Sequence, residues 1–162
     1  MNALAPIAPF LELEPWIRIV DGDAEGLALY RRHYSARQYA DGREPNQFVG
    51  PGENIVLATP CRCALFVWRK FKSDDDQTGI NCAVFRNESG RLGSELVRAA
   101  DLIADRRWPA ERHYTYVNPN EVRGNPPGNV FLRAGWRYVL DEQGEPRRTK
   151  RQKLLILERL PA

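Results

Sequence analysis

Two consecutive runs constrain the fold more than any other feature of this chain: CRCALFVWRKF at 61–71 and GINCAVFRN at 79–87. Both are dense in β-branched and aromatic residues, and only a short acidic turn containing Asp74, Asp75 and Asp76 separates them. Runs of this length and composition read as strands, and a connection this short makes them antiparallel. A third run at 54–58 precedes them across a Thr-Pro turn, so the centre of the chain is a three-stranded meander.

On either side of the meander the hydrophobic period changes from two to 3.6. Before it, Asp21 or Asp23 caps a helix whose apolar positions Leu27, Tyr30 and Tyr34 recur at helical spacing, so that His33 and Tyr34 end a helix. After it, Leu92, Leu96, Ala99, Ala100, Ile103 and Ala104 form one stripe over 92–106, stopped by Trp108 and Pro109. RHYTYVNP then reads as a strand ending at Pro119, 129–134 as a short helix closed by Gly135, and WRYVL with KLLILERL as a last hairpin around the basic tip EPRRTKRQK. The order predicts a single α+β domain over residues 1–162, with one mostly antiparallel mixed sheet flanked by helices. The long polar segment 38–52 reads as a loop, a place where function often resides.

With 43% hydrophobic and 28% charged residues the composition is that of an ordinary globular chain. MNALAPIAPFLELEP lacks a basic start and carries prolines and acids, so it reads as neither signal peptide nor membrane span, and a cytoplasmic protein without membrane contact is expected. Cys61, Cys63 and Cys82 fall in apolar runs, which predicts reduced, buried thiols, and no second ligand pair follows Cys61-x-Cys63 to make a zinc site. The net charge of +3 excludes nothing. Its clustering is more informative: Arg147, Arg148, Lys150 and Arg151 at the basic tip and Arg31, Arg32 and Arg37 near the first helix are candidate phosphate contacts, or else solvated surface.

RRHYSAR supplies the first candidate catalytic residues. His33 is able to take a proton near neutral pH, and Tyr34 to donate one or to stack on an aromatic substrate. His113 reads as structural, and Ser35 is too close to His33 along the chain to act as its nucleophile. Arg86, ending the central strand, suits an anion clamp. Asn118, ending TYVNP, orients a substrate but cannot be a base. Ser89, Gly90, Arg91, Leu92, Gly93 and Ser94 link strand to helix, with backbone N–H groups at a helix N-terminus suited to an anion.

The order of elements is that of the GCN5-related N-acetyltransferase (GNAT) fold. More narrowly, HYSAR, GINCAVFRNES, YTYVNP and the short helix leading into AGWRY resemble the phage Mom family, GNAT-related proteins that modify adenine in phage DNA. The resemblance covers roughly residues 30–140 and is most specific at His33-Tyr34-Ser35 and Arg86. It implies a transferase adding a small acyl-derived group to a nucleobase, with acetyl-CoA or a related acyl-CoA held at residues 89–94 and DNA as partner. His33, Tyr34 and Arg86 match the family's site residues; the family's acid is replaced by Asn118 and its helical tyrosine by Phe131. Tyr34, Tyr39, Trp108 or Phe131 would then stack on the extracted base. An N-acetyltransferase for a small amine or protein lysine, and a non-catalytic binding module of the same shape, remain open, as does a monomer or a homodimer.

Overall fold

The computed structural model describes residues 14–36, 39–42, 46–50, 52–122 and 124–161. Along the chain these form β1 (Ile17–Ile19), α1 (Ala24–Arg31), β2 (Glu53–Ala58), β3 (Ala64–Lys70), β4 (Ile80–Asn87), α2 (Gly93–Arg107), β5 (His113–Val117), α3 (Asn129–Arg133), β6 (Arg137–Tyr138) and β7 (Leu155–Arg159). The architecture is α+β: seven strands in the order β1-β2-β3-β4-β5-β7-β6 make one open sheet. Every neighbouring pair is antiparallel except β4 and β5, which run parallel.

Alternation along the strands sends side chains to two cores. Phe66, Trp68, Ile80 and Cys82 pack with Leu96, Val97, Ala100 and Ile103 of α2 and with Phe131 of α3. Leu65, Val67 and Val84 pack on the other face with Leu27, Leu29 and Tyr30 of α1 and with Phe48. Two indoles tie α2 to the sheet: Trp16 donates to the Leu96 carbonyl at 2.8 Å and Trp68 to the Ala100 carbonyl at 2.9 Å. Buried indole N–H groups require such partners. Asp23 caps α1 by accepting the Gly26 N–H at 3.0 Å, the arrangement its position before the apolar stripe implies.

The meander, α2 and α3 lie where the periodicity puts them, whereas α1 stops at Arg31, so His33 and Tyr34 lie in the turn beyond the helix and do not end it. Three further expectations change. The strand read as starting at Cys61 begins at Ala64, because the Thr59 hydroxyl captures the N–H groups of Cys63 and Ala64 and curls the chain into a turn. Cys61 is therefore exposed, and it is joined to Cys63 by a disulfide; only Cys82 is a buried free thiol, so the expectation of three reduced cysteines is corrected. The last connection is not one hairpin with a basic tip. It makes a first turn around Asp141, whose carboxylate accepts the N–H groups of Gln143 and Glu145, and Lys150, Arg151 and Lys153 belong to a second turn closed between Thr149 and Leu154, with Arg147 and Arg148 before it. Among the described residues, no helix is long and apolar enough to cross a membrane.

Candidate functional site

β4 and β5 pair only at Ile80–His113, Asn81–Tyr114 and Cys82–Thr115, although β4 continues to Asn87 and β5 to Val117. Parallel strands that stop exchanging hydrogen bonds must part. In β3–β4 the register shifts after Val67–Val84, so that Trp68 opposes Cys82 and Ala83 is an extra residue, a bulge at the point of parting. A cavity of about 930 Å³ opens there, lined by Ala83, Val84 and Phe85 from β4, by Thr115 to Asn118 from β5 and by the start of α3. The loop at 46–50 and the residues Gln152 and Leu154 of the basic turn complete its walls.

His33, Tyr34 and Asn118 all line this cavity, although 84 residues separate Tyr34 from Asn118. The Tyr34 hydroxyl accepts the Asn118 backbone N–H at 3.4 Å. The Asn118 side chain faces its own loop, accepting the Asn120 N–H at 3.0 Å, so it shapes the turn. His33 and Tyr34 stack, rings 4.5 Å apart and 27° from coplanar. Burial is the main cause that raises the Tyr34 hydroxyl above its ordinary pKa, so it keeps its proton at neutral pH.

His33 is not the free base its residue type suggests. Its Nδ1 accepts the Ser35 N–H at 3.1 Å and sits 2.7 Å from the Ser35 hydroxyl. That assigns the ring proton to Nε2. Burial first, then the neighbouring Arg86 charge, push the ring down to about 4. The imidazole is neutral at pH 7 and its Nδ1 is engaged by Ser35, which fixes the ring in the HYS turn beside Phe85 and Arg86 of β4. The sign of the linkage is definite: between pH 6.5 and about 4 the unfolded chain takes up a proton that the folded ring refuses. Wild type should lose stability over that interval relative to His33→Phe in thermal melts. The His33 ring resonance should titrate near 4 in NMR; a midpoint near 6.5 would contradict this geometry.

Arg86 lies outside the cavity lining. Glu88 receives Arg86 at 2.9 Å and, in bidentate fashion, Arg32 at 2.8 and 2.9 Å. Arg32 first, with Arg86, lowers the Glu88 carboxyl to about 2. An anion clamp built on Arg86 has to share it with Glu88. Arg32 is engaged in the same pair, and Arg147 is held by Asp75 through two hydrogen bonds of 2.7 and 3.1 Å. A phosphate held by Arg32 or Arg147 would have to compete with Glu88 or Asp75. Arg31, Arg148, Lys150 and Arg151 are exposed, Arg148 donating to the Lys153 carbonyl, and Arg37 lies outside the described residues.

The 89–94 segment also stands outside the cavity lining. The Asn87 carboxamide accepts the N–H and hydroxyl of Ser89 and donates to the Arg91 carbonyl, and the Ser89 oxygen accepts the Arg91 N–H. Leu92 caps α2 without a side-chain acceptor, so the first N–H groups of this 15-residue helix have no side-chain cap. Cavity and helix start are adjacent: Val130, which lines the cavity, packs so closely on Gly93 that a Cβ there would collide with it.

Trp108 is buried in the α2-facing core and offers no face to a base, whereas Tyr39 and Phe131 line the cavity. His113 is buried, 2.8 Å from Asp101, whose other oxygen accepts the Trp136 N–H at 2.9 Å; it is structural, as read. Cys82 lines the cavity too, but burial pushes its thiol up and keeps it protonated, unfit as a nucleophile. Among the described residues no cluster of side chains is arranged to hold a metal ion. Arg69 of β3 and Asn81 of β4, neither marked by the sequence, also line the cavity, and among the described residues no aspartate or glutamate does. No protein-family model, no curated protein and no solved structure matches this chain.

Proposed function

We propose that this protein is a GNAT-type transferase, Mom-like in kind, that moves a small acyl-derived group from an acyl-CoA to an amine of a DNA base. The observation that carries the reading is the parting of parallel β4 and β5 at a bulge, opening a cavity beside the start of a long helix. A thioester arm would enter between the parted strands, and its phosphates would meet the α2 N-terminus, whose dipole and uncapped N–H groups favour an anion. An acyl-CoA supplies there an acyl carbon activated by its bond to sulfur.

The chain's own residues support an acceptor amine that is neutral. An alkyl ammonium such as lysine, with a pKa of about 10.4, must first lose a proton to a competent base. Among the described residues no carboxylate lines the cavity, and burial holds its imidazole well below the ordinary value, at about 4. The exocyclic amine of a nucleobase arrives uncharged and needs no base before attack; the proton it loses as the C–N bond forms and the C–S bond breaks would replace the one Tyr34 gives to the thiolate. Tyr34, protonated at its hydroxyl, holds a proton where a departing thiolate needs one. The stacked His33–Tyr34 pair offers an aromatic platform for a base taken out of the helix, and exposed Arg31, Lys150 and Arg151 suit its phosphates. This favours a nucleobase over the small-amine or lysine acceptor.

Acetyl-CoA at about 100 times its dissociation constant should stabilise the protein by roughly 2.7 kcal/mol, read as a rise in melting temperature. An unchanged melting temperature at millimolar acetyl-CoA would remove the cofactor from the proposal.

A further inference from the structure

Arg69 and Asn81 are Cα partners across β3 and β4, so their side chains rise side by side from the cavity floor, one residue before β4 and β5 part. The Arg69 guanidinium lies 4.2 Å over the Phe71 ring and presses on Gly50, where a Cβ would displace it. Among the described residues no carboxylate approaches it to ion-pair distance, and its buried Nε–H has no acceptor. Next to it the buried Asn81 Oδ1 has no donor.

Two unmet buried groups in one native cavity, a donor beside an acceptor, are costly unless a ligand meets both. A phosphate or carboxylate would satisfy the arginine but face the Asn81 oxygen with its own negative charge. A nucleobase edge carrying an exocyclic amine beside a ring nitrogen satisfies both, the amine donating to Oδ1 and the ring nitrogen accepting from Nε–H. Tyr30 and Phe48, which also line the cavity, supply apolar surface for its ring.

We propose that Arg69 and Asn81 form the base-reading subsite, gripping the edge of the acceptor nucleobase at the cavity floor. This rests on the transferase reading above and names the residues that select its acceptor. It also accounts for a cavity whose one fixed charge among the described residues, Arg69, is positive.

The test is titration of the whole chain with deoxyadenosine and deoxycytidine, and separately with inorganic phosphate and with acetyl-CoA. Wild type is compared with Arg69→Met, Arg69→Lys and Asn81→Leu, each checked for a cooperative melt. Arg69→Met and Asn81→Leu should weaken nucleoside binding by about five- to a hundredfold, the size of one bidentate base contact, and leave acetyl-CoA binding unchanged. Arg69→Lys, which keeps the charge without the fork, should weaken it as well. Nucleoside affinity equal in wild type and folded variants would overturn the proposal, and so would inorganic phosphate binding as tightly as a nucleoside through Arg69. Acetyl-CoA binding without nucleoside binding to wild type overturns the subsite and leaves the transferase reading standing. Nucleoside binding without acetyl-CoA binding supports the subsite and defeats the transferase reading.

Discussion

Replacing Tyr34 with phenylalanine is expected to lower the transfer rate by two to four orders of magnitude while leaving acetyl-CoA affinity within about twofold. The substitution removes one oxygen and keeps the ring that stacks on His33 at 4.5 Å, so the platform survives and the proton does not. Burial holds this hydroxyl in its protonated form, and its one structural contact, the Asn118 N–H at 3.4 Å, is long and exposed. The fold should therefore be indifferent to the change. Single-turnover rates and acetyl-CoA titrations on the variant separate the two effects. An unchanged rate would take the proton-donor role away from Tyr34.

The largest effect on stability is expected at Trp68. Its side chain is fully buried in the α2-facing core, with ring centres 4.7 Å from both Phe66 and His113 and 6.3 Å from Trp136. Trp68→Ala empties the middle of that cluster and removes the hydrogen bond to the Ala100 carbonyl that ties β3 to α2. Large-to-small changes of this kind cost about 3–5 kcal/mol, on the order of 10 °C in melting temperature for a chain of this size. Trp68→Phe keeps most of the volume and should recover more than half of the loss. Thermal or denaturant unfolding of the two variants checks both values, and a loss below about 1 kcal/mol in Trp68→Ala would contradict the packing described.

The middle of the fold was legible because local pattern and burial agree there. The run 79–87 becomes β4, and the apolar stripe on 92–106 becomes the sheet-facing side of α2, with Leu96, Ala100, Ile103 and Ala104 buried. β1 was not legible: three residues, Ile17, Arg18 and Ile19, are too few to display a period of two, and only pairing with Val56, Leu57 and Ala58 makes them a strand. Cys61 and Cys63 read as strand because sulfur counts as apolar, while the Thr59 hydroxyl that curls them into a turn acts on the backbone and leaves no trace in hydropathy.

The candidate site was half legible for a similar reason. His33 and Tyr34 attract notice by residue type and do reach the cavity. Arg69 and Asn81 look like ordinary polar positions of alternating strands, and only the sheet register sets them together under Gly50. Arg32 and Arg147 looked like free cations because their partners, Glu88 and Asp75, lie 56 and 72 residues away. Charge clusters read along a sequence overstate the charge available in space whenever the neutralising carboxylate comes from a distant strand or turn.

The proposed addition of a group to a DNA base is tested by nucleoside mass spectrometry of plasmid and genomic DNA from cells expressing the protein, with Tyr34→Phe as the comparison. The expected result is a new mass on one amine-bearing nucleoside, present with wild type and lost with the folded variant. DNA with no altered nucleoside, from cells holding folded protein that binds acetyl-CoA, would contradict the claim and leave a transferase with a different acceptor.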